Sequence, residues 1–210
     1  MASVAADRAG GAGPKGEAIA SAALRLFLRD GYERTSVDAI AAEAGVSKRT
    51  IYNRYGEKET LFLSVLRHTF TGLMAVCTRV ADAHLTDVTD VEQALTGYAR
   101  AAARVIVRSP ERGQLTRLII AEAPHFPALL RQQARSEIMS GMLSQRLAAL
   151  AAAGWLQIDD PQEAAEHLLA LTTGQINNRS MFGAAAISDA EADRIVTSGV
   201  RAFVRAYRPA

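Results

Sequence analysis

From about Lys15 onward, apolar residues recur at three- and four-residue steps, the period of helices buried along one face. Ile19, Ala22, Ala23, Leu26 and Phe27 mark a first helix over about Lys15 to Arg29, which Asp30-Gly31 ends. Thr35 at the cap and Asp38 three residues on predict that a second helix opens with a capping box. Val37, Ile40 and Ala41 form its inner row, and Gly45 supplies the left-handed turn after Ala44. Ser47 caps a third helix that Val46, Ile51 and Tyr55 anchor, leaving Lys48, Arg49, Thr50, Tyr52 and Asn53 outside. A long helix follows over about Lys58 to Ala83, with Leu61, Phe62, Val65, Leu66, Phe70, Leu73 and Met74 in its apolar rows. After the break LTDVTD, helices are expected over about 89–108, 111–123 and 126–153. Ser109-Pro110 and Pro124-His125-Phe126-Pro127 separate them. Pro161 suits the first turn of an eighth helix to about Phe182, and Ser188 caps a ninth through about Tyr207.

The pattern is all-α, with about nine helices and no run in which β-branched and polar residues alternate. Composition agrees, since aromatics are only 6% and much of the 49% hydrophobic share is alanine, a strong helix former. Residues 1–14 are Ala, Gly and polar and have little to bury, so they are read as a disordered arm. Residues 15–57 then form a three-helix unit, and 58–210 a second, longer helical unit. Arg8 in the arm and Lys15 just after it could still brush DNA, since basic arms often reach a minor groove.

A net charge of +2 decides nothing, but its distribution does. Between Ser47 and Lys58, four basic residues (Lys48, Arg49, Arg54 and Lys58) stand against Glu57 alone. A basic short helix placed after a Gly-containing turn is a helix-turn-helix, which sets its second helix in the DNA major groove. One cysteine, Cys77, excludes an intramolecular disulfide and a cysteine-based zinc site; its apolar surroundings suit packing. His68, His84, His125 and His167 are scattered without metal-ligand spacing, so no metal and no cofactor are predicted. No G-x-S-x-G, His-Glu pair, phosphate loop or nucleotide fingerprint is present, which leaves an enzyme reading without a motif. The sequence reading finds no apolar run of transmembrane length and no secretory signal, and a cytoplasmic protein is expected.

Phe27, Gly31-Tyr32, Thr35-Ser36-Val37, Ile40-Ala41, Ala44-Gly45-Val46-Ser47, Thr50-Ile51-Tyr52, Tyr55 and Lys58-Glu59-x-Leu61-Phe62 follow one another in an order and spacing that resemble the TetR family of repressors. The resemblance covers about Lys15 to Leu61 and departs from the common pattern at Tyr55 and Asn53-Arg54. It implies a homodimer on a palindromic double-stranded DNA operator, released when a small-molecule effector enters the carboxy-terminal domain. Lys48, Arg49, Thr50 and Tyr52 then stand where family residues read bases. A Lys or Arg there can bond guanine O6 and N7, and the Thr methyl can touch thymine. Thr35 or Ser36, with Lys58, correspond to phosphate-holding positions, and Asn53 and Arg54 to backbone positions.

The stretch Arg117 to Gln133, RLIIAEAPHFPALLRQQ, resembles the AefR-like subgroup, and GQINNRSMFG extends that likeness. Candidate pocket residues are Met74, Cys77, Val105, Leu118, Ala121, Glu122, His125, Phe126, Met142 and Gln175. Arg104 and Arg117 are added as partners for an anionic ligand if they point inward. The last two helices are the family's dimer bundle, with Leu168, Leu171, Asn178 and Phe182 on one and Ile195, Val196, Val200, Phe203 and Val204 on the other. Gly174 and Gly199 would let backbones approach closely, offsetting a helix cost of ~1 kcal/mol each. The alternative for every one of these residues is a core within one chain. The rival function keeps the DNA module and uses the carboxy-terminal domain only to dimerise or to bind a protein.

Overall fold

A computed structural model describes residues 13–126 and 134–209. Residues 1–12 of the expected arm (1–14) and the 127–133 part of the expected seventh helix lie outside the described residues, and Pro14, at the end of that arm, already opens the first helix. Among the described residues every regular element is helical. They are α1 (Pro14–Arg34), α2 (Val37–Ala44), α3 (Lys48–Tyr55), α4 (Lys58–Leu85), α5 (Val91–Ala102), α6 (Pro110–Glu122) and α7 (Ala134–Ala152). The eighth helix, α8, runs over Pro161–Leu169 and, after an interruption, Gln175–Arg179; α9 is Asp189–Ala206. The chain divides into two compact units, Met1–Leu73 and Met74–Ala210. The division falls within α4, later than the boundary read ahead of Lys58, because Leu61, Phe62, Val65 and Leu66 are core residues of the first unit.

In the first unit, Ile19, Ala22, Ala23, Leu26 and Phe27 of α1 are buried, as their spacing predicts. The helical bonding of α1 kinks at Gly31 (φ 80°) and continues to Arg34, which brings Tyr32 back over the core. There Phe27 meets Phe62 edge-on at 4.9 Å, and Tyr32 meets Phe62 at 5.0 Å between ring centres. Such aromatic pairs add ~0.5–1.5 kcal/mol beyond their buried area. The cap of α2 differs from the expectation. Ser36, not Thr35, accepts the Ala39 amide at 3.1 Å, while Thr35 is 2% exposed. The Thr35 hydroxyl donates to Gly31 O at 2.7 Å, so the kink that turns the chain also claims the side chain expected to cap it. Gly45 closes α2 at φ 64°, ψ 33°, and Val46 N–H reaches Ala41 O at 3.0 Å.

The second unit is built on α5, α7, α8 and α9. Leu95, Tyr98, Ala99, Leu143, Leu147, Leu168, Ile176, Ile195, Val196, Val200 and Phe203 belong to one buried cluster. Asp90, Asp160 and Ser188 cap their helices as side-chain acceptors. Two features are invisible in the pattern. Ala103–Val107 after α5 and Ala170–Gly174 within α8 are π-helical turns, which shift the following side chains out of the helical register. Beyond Arg179, Met181 and Phe182 take positive φ (48° and 54°), so α8 ends before Phe182. Against expectation, α4 is long and apolar enough by length and composition to cross a membrane. Cys77, Val80, Ala81 and Leu85 of that helix are instead buried among the residues of the second unit.

Candidate nucleic-acid interface and effector region

Ser47 starts α3 by accepting the Thr50 amide at 3.1 Å. Ile51 and Tyr55, four residues apart, are buried, and this fixes which way the other side chains turn. Lys48, Arg49, Tyr52 and Asn53 are exposed, with Tyr52 at 43% despite its size; Thr50 is half-buried. The Thr50 hydroxyl is held by Ser47 Oγ at 2.8 Å, which leaves its methyl group as its outward chemistry. Arg49 makes no hydrogen bond or ion pair with a described residue. Lys48 instead reaches Asp38 of α2 at 2.8 Å, with its ammonium 6.0 Å from the Tyr52 ring centre. The hydrogen bond to Asp38 raises the Lys48 pKa. Lys48 must therefore leave an acceptor before it bonds any new partner, whereas the Arg49 side chain has no described partner to leave.

Three of the expected contacts sit differently. Thr35 is buried, which leaves Ser36 as the exposed member of the Thr35–Ser36 pair. Arg54 lies back against α1: a Cβ on Gly16 would meet its Nη2 at 2.6 Å, and its guanidinium is 5.9 Å from the Tyr55 ring centre. Lys58 donates to Tyr32 O at 3.1 Å, Thr35 O at 3.2 Å and Glu33 O at 3.4 Å, and lies 4.1 Å from the Tyr32 ring centre. Its ammonium closes the carbonyl end of α1, a position where a cation is favourable. The position of Lys58 in the motif suggested a phosphate contact because sequence spacing carries no information about those three carbonyls. Replacing Lys58 by methionine is expected to destabilise the first unit by ~1–3 kcal/mol. Urea denaturation followed by far-UV circular dichroism checks this; an unchanged midpoint with weakened DNA binding would return Lys58 to the phosphate role.

The residues read as a ligand pocket are not gathered into one site. Arg104, Val105, Ala121, His125 and Gln175 are exposed, with Val105 at 45%. The π turn at Ala103–Val107 carries Arg104 and Val105, and the one at Ala170–Gly174 precedes Gln175; both break the helical register at these positions. Arg117 is half-buried and donates to Phe182 O at 2.6 Å, so it closes a loop. Cys77, Leu118, Glu122 and Phe126 are buried, and Met74 and Met142 are partly so; Thr78 Oγ1 lies 3.7 Å from Met142 Sδ.

A groove of about 420 Å³ between α5 and α9 has a different lining, in which Arg100, Arg104 and Arg108 face Asp189 and Asp193. Arg100 holds Asp193 at 2.5 Å, and Arg108 pairs with Asp189. These hydrogen bonds keep both carboxyls below the usual carboxylate range. The groove ties α5 to α9 by exposed ion pairs, each worth little by itself.

The expected dimer residues divide in two. Leu168, Ile195, Val196, Val200 and Phe203 are at most 4% exposed and pack within the chain, so their side chains are spent on its own core. Gly199 is buried too: a Cβ there would overlap the Leu171 carbonyl oxygen and lie 2.8 Å from the carbonyl carbon. The close approach that glycine allows is therefore between α9 and the π turn of α8. Leu171, at 39%, and Asn178 stay exposed, while Gly174, Phe182 and Val204 are partly so.

Comparison with known proteins agrees with this architecture. Residues 19–65 match the model of bacterial regulatory proteins of the tetR family, and residues 93–209 match the AefR-like transcriptional repressor carboxy-terminal domain. A putative TetR-family transcriptional regulator from Mesorhizobium loti superposes with a TM-score of 0.85 and 33% identity, over 92% of this chain and 96% of that one. The flavonoid-responsive regulator FrrA superposes at 0.69 with 28% identity, over 93% of this chain and 98% of its own. The DNA-binding transcriptional repressor TetR of Mycobacteroides abscessus is 45% identical over 49 residues, 23% of this chain. The chain spans only 26% of that repressor's length. With one family model on the three-helix unit and another over more than half of the chain, this protein belongs to the TetR family of bacterial transcriptional regulators.

Proposed function

We propose that the chain is a DNA-binding repressor that acts as a homodimer on a palindromic operator in the cytoplasm and is released by a small molecule. The observation that carries the reading is the outer face of α3, where Arg49 and Tyr52 project beside Lys48 while Ile51 and Tyr55 hold the helix down. Arg49 is assigned to a guanine edge, the Thr50 methyl to a thymine, and Ser36 and Asn53 to the backbone. Two such helices in a dimer engage successive major grooves when they sit ~34–36 Å apart. Effector binding in the second unit moves α4, changes that spacing and weakens binding, with a coupling of ~1–3 kcal/mol. The surface residues Leu171 and Asn178 of α8, with Val204 of α9, are the part of the expected dimer face that a second copy could meet.

The rival reading has its own supporting observation, since Arg104, Val105, Ala121, His125 and Gln175 are exposed and would suit a protein partner better than a buried ligand. Selecting bound fragments from the source genome tests the DNA assignment. A palindromic site beside an operon is the expected result, and the operon's chemistry then nominates effectors for release assays. Absence of selective binding at moderate salt, with and without extracted small molecules, would overturn it.

A further inference from the structure

Sequence pattern and structure part at the end of α8. The pattern runs helical to about Phe182, yet α8 stops at Arg179, and Met181 (φ 48°), Phe182 (φ 54°) and Gly183 (φ 76°) lie in the left-handed region. Glycine takes that conformation freely, but a side chain in it is strained. Two such non-glycine residues in succession persist only where their surroundings hold them. Here the surroundings are mainly polar. Within 181–187 only Phe182 and Ile187 are partly buried; the others are exposed, Met181 at 66%. Arg117 of α6 donates to Phe182 O at 2.6 Å. Arg108, at the end of the π turn that follows α5, donates to Ile187 O at 3.1 Å and pairs with Asp189. Gly113 of α6 leaves the room required, since a Cβ there would meet Phe182 O at 2.8 Å and Gly183 Cα at 3.3 Å. A cavity of about 270 Å³ lies between this segment and the corner that joins α5 to α6. Val107, Ser109 and Pro110 line it from the corner, and Ala185, Ala186 and Ile187 from the segment.

We propose that residues 181–187 are a strap, held shut against its own backbone preference, which opens as a unit and uncovers the cavity. Opening breaks the Arg117 and Arg108 bonds and lets Met181 and Phe182 return to right-handed conformations. Polar contacts at the two ends hold the closed form, and relief of strain favours the open one, so a change at either end moves the balance. A segment with few buried apolar contacts opens at a lower free energy than the core around it. Because Arg117 and Gly113 belong to α6, the strap also ties α6 to the connection between α8 and α9 while it is shut. The inference concerns the second unit alone and is independent of the DNA and effector assignments.

Amide hydrogen exchange of the full chain, read by mass spectrometry, tests this. The reporters are the amides of Gly183, Ala184 and Ala185, which bond to Ser180 Oγ, Met181 O and Ser180 O in the closed turn. They should exchange faster than Ile195–Phe203 of α9 and slower than unstructured chain. Arg117→Met should speed them about tenfold, the weight of a hydrogen bond from a charged donor, with α9 unchanged. Gly113→Ala should speed them as well, although alanine favours α6 as a helix, because the new Cβ presses on Phe182 O. That variant decides if Arg117→Met loosens α9 too. Met181→Gly should slow the reporters roughly fivefold by removing strain, whereas Met181→Ala, which loses the same side chain and keeps the strain, should not. Ser109 lines the cavity and makes no cap bond in α6, so Ser109→Cys reports uncovering through its reaction with iodoacetamide. The wild-type chain, whose Cys77 is buried, is the blank. Labelling should follow reporter exchange through the Arg117 and Met181 variants. Reporters that match α9 in every variant, or exchange like unstructured chain in the wild type, overturn the strap. Equal exchange in Met181→Gly and Met181→Ala overturns the strain that drives it. Cysteine labelling indifferent to these variants overturns its role as a cover.

Discussion

Replacing Gly199 by alanine is expected to lower the stability of the second unit by about 3 kcal/mol, at the upper end of ordinary overpacking penalties. In an exposed helix the same change would add ~1 kcal/mol through helix propensity. Here the new methyl group overlaps the Leu171 carbonyl oxygen, lies 2.8 Å from the carbonyl carbon and is 3.1 Å from Thr172 Cγ2. The obstruction is backbone held in a π turn, so no rotamer change relieves it, and α9 must withdraw from α8 as a whole. Val196, Val200 and Phe203 on the same helix would lose packing with it. Gly97→Ala is the matched control. Its Cβ would meet His84 Nδ1 at 2.7 Å, but that atom is the end of a side chain that can swing aside. Thermal unfolding distinguishes the two. A fall of roughly 10 °C is expected for Gly199→Ala and little change for Gly97→Ala. Equal midpoints would mean that α9 and α8 do not approach as described.

Arg49→Ala is expected to weaken operator binding by about 10–100-fold and to relax base preference at one position in each half-site, while the oligomeric state stays unchanged. Lys48→Ala should cost less, although the two residues are adjacent and equal in charge. Lys48 leaves Asp38, at 2.8 Å, before it can reach a base, so part of any new contact repays a lost one. Arg49 has no described partner to leave. Electrophoretic mobility shifts on the selected operator and on scrambled DNA at fixed salt give both numbers. Size-exclusion chromatography controls for assembly. An Arg49 variant with wild-type affinity on both DNAs would remove base reading from this position.

The amino-terminal module was largely legible because its information is local. Apolar spacing identified the buried rows of α1, α2 and α3, Gly45 identified the turn, and Ser47 identified the cap. Where this reading failed, a long-range or backbone partner intervened. The Thr35 hydroxyl turned inward to Gly31 O, and the Lys58 ammonium found three carbonyls more than twenty residues away. The carboxy-terminal unit was less legible because π turns reset the helical register without any residue type that marks them. Arg104, added as a ligand partner only if it points inward, and Gln175, named as a pocket candidate, are both exposed; the Arg112 Nη1 atom is buried without a described partner. The one sequence signal for Arg112 was its place in the row of Leu115 and Leu118.

By itself, the sequence determined an all-helical chain, the place of the helix-turn-helix and the outward residues of α3. Period, caps and turn glycines act within a few residues of one another. Only the tertiary structure decided which charged side chains are committed and which remain available. It set Lys48 on Asp38 and Lys58 on the end of α1, and it left Arg49 and the Arg112 Nη1 without a described acceptor. It also turned most of the expected dimer face into the chain's own core. A side chain's partner depends on which helices pack side by side, and that choice belongs to the whole fold.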